Sequence, residues 1–138
     1  MIVRIQIPGI PTPLSRHRSA MCGSKIRQYD SQKVKKRTTK SIMVYELAKN
    51  NIPNILDYDY YCVTITFTFY KPKRLLIDCP EHNHKPDLDN LIKYVLDCGN
   101  DILWTDDSKV TEINSLKQFG TTSNTEIQIM PKKIKCKS

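Results

Sequence analysis

Apolar and polar residues alternate from the start of the chain. In "IVRIQI", residues 2–7, Val3, Ile5 and Ile7 are separated by polar neighbours, the two-residue period of a half-buried strand. The clearest strand is "VTITFTFYK", residues 63–71. Val63, Ile65, Phe67 and Phe69 project one way and Thr64, Thr66, Thr68 and Tyr70 the other, and β-branched and aromatic side chains suit a pleated surface. The period lengthens over about residues 88–98, "LDNLIKYVLDC", where Leu88, Leu91, Ile92, Val95 and Leu96 fall on one side of a helix. A second helix is predicted over residues 30–50. Asp30 or Ser31 would accept bonds from the free amides of its first turn. Val34, Ile42, Tyr45 and Ala48 give it a weak apolar stripe, and Lys33, Lys35, Lys36, Arg37 and Lys40 a basic face. Two strands, about residues 110–119 and 125–130, close the pattern.

The intervening segments read as connections. Residues 8–28 hold three prolines and two glycines and are expected to form a long loop, a kind of segment that in small domains is usually functional or disordered. Residues 51–59 and 72–86 break the periodicity again. The order β–loop–α–β–α–β–β predicts a single α+β domain over residues 1–138, a mixed sheet with two main helices packed on it. The lysine-rich tail at 131–138 is expected to be mobile.

A chain of 138 residues suits one domain, and its apolar content of 39% suffices for a core. No apolar run approaches the roughly 20 residues of a membrane span, and the N-terminus lacks the long apolar stretch of a signal peptide. The five cysteines are scattered, with no CxxC pair, and read as reduced thiols. These features predict a cytoplasmic protein (host cytoplasm if virus-encoded) without a membrane association.

Charge changes the picture. The net charge of +8 is unevenly spread: residues 1–50 carry 11 basic against 2 acidic residues, residues 51–130 carry 7 against 12, and the last eight residues add four lysines. Basic ends suit a polyanion such as nucleic acid. The acidic middle needs its own explanation, because carboxylates repel phosphates. Its focus is "KPDLDNLIKYVLD", residues 85–97, where Asp87 and Asp89 stand at the mouth of the helix predicted over about residues 88–98. A helix cap needs one acid, and here there are two, on the same side of an extended segment. Asp106 and Asp107 follow in "LWTDDSKV". If Asp87, Asp89 and Asp107 converge, two carboxylates about 5 Å apart repel by roughly 3 kcal/mol at an effective dielectric of 20, and a cation or raised pKa values must absorb what Lys93 does not. An oxygen-rich cluster of this kind favours Mg²⁺ or Mn²⁺, which would let the acidic pocket accept a phosphodiester and activate a water. A DxD pair alone leaves other phosphotransfer or sugar-transfer enzymes open. A branched-DNA-binding protein without catalysis also remains open, distinguished by binding without Mg²⁺-dependent nicks.

The longer string is more specific. "KPDLDNLIKYVLD" followed by "LWTDDSKV" resembles the RusA family of Holliday-junction endonucleases, through Asp87, Asp89, Asn90, Leu91, Lys93 and Asp97, then Trp104, Asp106, Asp107, Ser108 and Val110. The resemblance implies a homodimeric, Mg²⁺-dependent resolvase with no organic cofactor. Such an enzyme nicks a four-way junction symmetrically in recombination and repair, and leaves 5′-phosphate and 3′-hydroxyl ends. The essential aspartates of the family fall on Asp87, Asp89 and Asp107, which would bind the metal, and its lysine on Lys93, which would hold the scissile phosphate or neutralise growing charge. Asn90 would orient a ligand or water. Asp106 would either support a ligand from behind or cap its turn, and Asp97 would pair with Lys93 on the helix face. A two-fold dimer supplies the two equivalent sites that paired nicks need.

Beside such a motif the basic residues Arg16, Arg18, Lys25 and Arg27 of the first loop, and Lys33, Lys36, Arg37 and Lys40 of the first helix, are expected to contact DNA. Cys79, His82 and His84 in "CPEHNHKP" match no common zinc spacing and are expected in an exposed loop. Trp104 is expected in the core, positioning the turn with Asp106 and Asp107, rather than stacked on a base.

Overall fold

In a computed structural model of the chain, a four-stranded mixed sheet carries two helices. The structure describes residues 1–15, 18–72 and 81–135. In chain order the elements are β1 (Val3–Pro8), β2 (Arg18–Cys22), β3 (Lys25–Tyr29), α1 (Lys33–Lys49), β4 (Tyr60–Tyr70), α2 (Leu88–Gly99), β5 (Val110–Gly120) and β6 (Asn124–Lys132). Short 3-10 turns stand at Ile55–Asp57 and Asp107–Lys109. The sheet order is β1-β6-β4-β5, with β6 antiparallel to both its neighbours and β4 parallel to β5. This is the α+β architecture that the periodicities predict. A parallel pair cannot be joined by a tight turn, and α2 lies in the crossover that joins β4 to β5.

Register puts the alternating apolar residues on one face. Val3 and Val63 both pair with Ile129, and Ile5 and Ile65 with Ile127. These six, with Phe67, are essentially buried, and they pack with Met43 of α1 and Leu91, Tyr94 and Val95 of α2 in one core. The opposite face keeps Thr64, Thr66 and Gln128 partly or fully open to solvent.

Two expectations need correction. The segment expected as a loop over residues 8–28 contains the hairpin β2–β3, with Cys22 paired to Lys25 across a two-residue turn. Gly23 has φ +64° at the first central position, a backbone that glycine adopts without cost. Neither strand has a clean apolar face, so periodicity does not mark them. The stripe expected on α1 is also wrong: Val34, Tyr45 and Ala48 are exposed, and the buried positions are Thr39, Met43 and Glu46. Polar groups hold this helix to the rest. The Thr39 hydroxyl lies 3.0 Å from the Tyr94 hydroxyl, and Glu46 Oε1 accepts from the Gln6 amide at 3.2 Å. Burial pushes the Tyr94 phenol up to about 12, against the pull of the Thr39 bond.

The first residues of the basic tail make bonds to the rest of the fold. β6 runs to Lys132, Lys133 Nζ donates to the Asp57 carbonyl at 2.5 Å and stands 5.4 Å from the centre of the Tyr58 ring, and the Ile134 amide donates to Asp59 Oδ2 at 2.7 Å. Residues 136–138 lie outside the described residues.

Candidate active site

The acidic pair sits where α2 begins. Asp87 is extended (φ −69°, ψ 141°) and occupies the position before Leu88, the first helical residue. A carboxylate there ordinarily accepts from the free amides of the first turn. The Asp87 side chain makes no such bond. Its backbone carbonyl accepts the Leu91 amide at 3.2 Å, while Oδ1 and Oδ2 turn to Lys85 Nζ at 2.9 and 3.1 Å. The bond and charge of Asp87 hold the Lys85 ammonium above its ordinary pKa. Asp89 lies in the first turn, 3.8 Å from Lys93 Nζ one turn on. All four side chains are exposed, so neither ion pair contributes much to stability. The helix start favours negative charge through its macrodipole. Two exposed carboxylates therefore stand at the start of one helix, Asp87 making no cap bond, with an ammonium beside each.

The frame around this turn is built from distant segments. The Leu14 amide donates to the Asn90 carbonyl at 2.8 Å, tying the proline-bearing loop after β1 to the motif. Lys117 of β5 donates from Nζ to the carbonyls of His84 at 2.6 Å and Pro86 at 2.7 Å, directly before Asp87. Asp87 and Lys117 line one open depression with Asn83, His84, Lys85 and Leu88. No motif in the sequence marks Lys117; its neighbours do.

Asp107 opens the 3-10 turn ahead of β5, and this turn packs against α2. Asp106 Oδ2 accepts from the Ser108 amide at 3.1 Å, a bond that caps the turn, and the Ser108 bond lowers its carboxyl pKa. Trp104 anchors the approach. It is fully buried and donates from Nε1 to the Leu96 carbonyl at 3.3 Å, and its ring lies so close to Gly99 that a Cβ there would stand 2.5 Å from Cζ2. Among the described residues no group of three or more acids, histidines or cysteines is gathered to hold a metal ion. Asp87 and Asp89 stand at the start of α2, and Asp107 opens the turn that packs against that helix.

A profile of the family described as endodeoxyribonuclease RusA matches residues 8–130. The chain belongs to the RusA family. The match runs from the end of β1 into β6 and takes in the whole acidic motif. No curated protein matches the chain. Among the described residues no helix is long and apolar enough to cross a membrane.

The first block of the RusA motif in this chain ends on Asp97, and the expected partner of Asp97 is corrected. Asp97 pairs with Lys36 of α1 at 2.9 Å, and Lys36 also holds Asp30 at 2.7 Å. A lysine placed four residues before an acid on a helix is the weaker orientation for a pair, so a cation offered by the packed neighbour wins. Burial lowers the pKa of Lys36, but the bonds to Asp30 and Asp97 prevail and raise it. Lys36 thus clamps the two helices together through both carboxylates, with its side chain mostly covered. Lys33, Arg37 and Lys40 border the same depression with Asp30 and Asp97, and Lys33 and Arg37 are exposed. Lys25 is exposed beside the hairpin turn. Arg16 lies outside the described residues, as do the side chains of Arg18 and Arg27. So does Cys79, while His82 packs between Phe69 and Phe119, with ring centres 4.5 and 4.6 Å away. Burial, then the charge of Lys117, depresses the His82 pKa.

Proposed function

We propose that this RusA-family endodeoxyribonuclease cuts four-way DNA junctions by paired symmetric nicks, as a homodimer dependent on Mg²⁺, with Mn²⁺ as a substitute. The observation that carries the reading is the exposed pair Asp87 and Asp89, released from helix capping and set beside Lys85 and Lys93 within the matched region. The donor set fits a hard divalent ion, since it offers charged oxygens in an open position, and Asp87, Asp89 and Asp107 would hold it. Such an ion, when bound, lowers the cost of bringing a phosphodiester to the acids and favours attack by water.

The chain's own groups do the rest. Lys85 and Lys93 moderate the repulsion between the carboxylates. Lys93 takes a phosphate oxygen and counters the charge that grows on it as the bond breaks. Asn90 orients a ligand or water. Lys33, Arg37, Lys40 and Lys25, with the arginines of the first loop, bind the backbone of the junction arms in a salt-dependent way.

The test is direct. Incubated with a synthetic four-way junction and a matched linear duplex, the protein is expected to leave paired symmetric nicks in the junction alone, with Mg²⁺ and not with EDTA. Equal cutting of both substrates, or none, rejects this reading.

A further inference from the structure

We infer that Lys117 is a positioning residue of the acidic site: it holds the His84–Pro86 segment so that Asp87 is presented for metal binding. The inference rests on the nuclease reading above and adds a residue to it. Lys117 pairs with Phe67 across the parallel strands, and Phe67 is buried on the helix-bearing face, so the lysine side chain rises from the sheet toward α2. Its ammonium has three N–H donors, and two of them go to the carbonyls on either side of Lys85. The segment is also laid along β5 by its backbone: Glu81 bridges to Gln118, and the His82 amide donates to the Lys117 carbonyl at 3.3 Å. Backbone contacts thus bring the chain to Lys117, and the side chain fixes its last residues before Asp87. Asp87 makes no capping bond; its side chain is held by Lys85, and Lys117 grips the carbonyls on either side of Lys85, so the orientation of Asp87 is set through this segment.

The role has a signature that charge alone does not give. Removal of a positive charge beside two carboxylates strengthens their attraction for a cation, whereas loss of a group that orients a ligand weakens it. Lys117→Met is expected to weaken Mn²⁺ binding about tenfold, measured by electron paramagnetic resonance on the protein without DNA, as for other groups that orient metal ligands. In the same variant kcat on the junction is expected to fall about 100-fold, with junction affinity within about threefold at fixed salt. Lys117→Arg, which keeps both donors and charge, is expected to restore most of both. A folded Lys117→Met with unchanged or tighter Mn²⁺ binding, or with wild-type cutting, overturns the inference. Should Lys117→Met fail to fold, Lys117→Gln, with one amide donor group, carries the same measurements. Failure of all three variants to fold assigns Lys117 to the fold and overturns the inference too. Wild-type protein that neither binds Mn²⁺ nor cuts a junction overturns the proposed function itself; normal wild-type binding with an unaltered Lys117→Met overturns only this step.

Discussion

Asp107→Asn is expected to lower junction cutting at least about 1,000-fold while junction binding survives or tightens, in line with other losses of a group that acts only on the transition state. The substitution keeps size and shape and removes one negative charge. Asp107 is exposed in a short turn, and its neighbour Asp106 makes the capping bond, so the fold loses nothing that holds it together. A neutral amide is a poor ligand for a hard divalent ion, so the chemical step suffers. Phosphates of the junction meet one fewer like charge, so affinity does not fall. Single-turnover cutting and junction binding in EDTA separate the two effects. Cutting at the wild-type rate removes Asp107 from the mechanism.

Trp104→Ala is expected to cost about 3–5 kcal/mol of stability, the range for truncating a buried large aromatic side chain. The indole is fully buried, its N–H is satisfied by the Leu96 carbonyl, and its ring occupies the space that a side chain at Gly99 would take. Tyr61 lies 6.2 Å away, centre to centre. Truncation leaves a cavity beneath the end of α2 and an unpaired carbonyl, with little freedom for the packed turn to collapse. For a domain of this size the change corresponds to a fall in melting temperature of roughly 10–20 °C. Denaturant titration of both proteins measures it. A loss below about 1 kcal/mol shows that the ring is not the anchor that the packing implies.

What could be read in the sequence follows from what each element buries. β4 and α2 bury continuous apolar faces, and their periods of two and 3.6 are visible in single lines of sequence. The sequences of the hairpin strands β2 and β3 show no apolar alternation, and only the two residues of the turn mark them. α1 is the instructive case: its buried positions are Thr39, Met43 and Glu46, where hydroxyl and carboxylate bonds to Tyr94 and Gln6 replace apolar contact. Periodicity counts apolar residues and passes over these. The acids were visible because two carboxylates at one helix start are one too many for a cap. The partner of Asp97 was not, because Lys36 lies 61 positions earlier in the chain and only helix packing brings it there. Lys117 was hidden for the same reason, as one lysine among many until its two carbonyl partners are known.

The strand order has a consequence for biosynthesis. β6 is made after every other described strand, yet it lies between β1 and β4 in the finished sheet. β1 must therefore wait until the chain through Asn124–Lys132 has been made before it finds its place. A product truncated before Asn124 would have nothing to bridge β1 and β4, so the acidic turn is displayed on an assembled scaffold only once β6 is present.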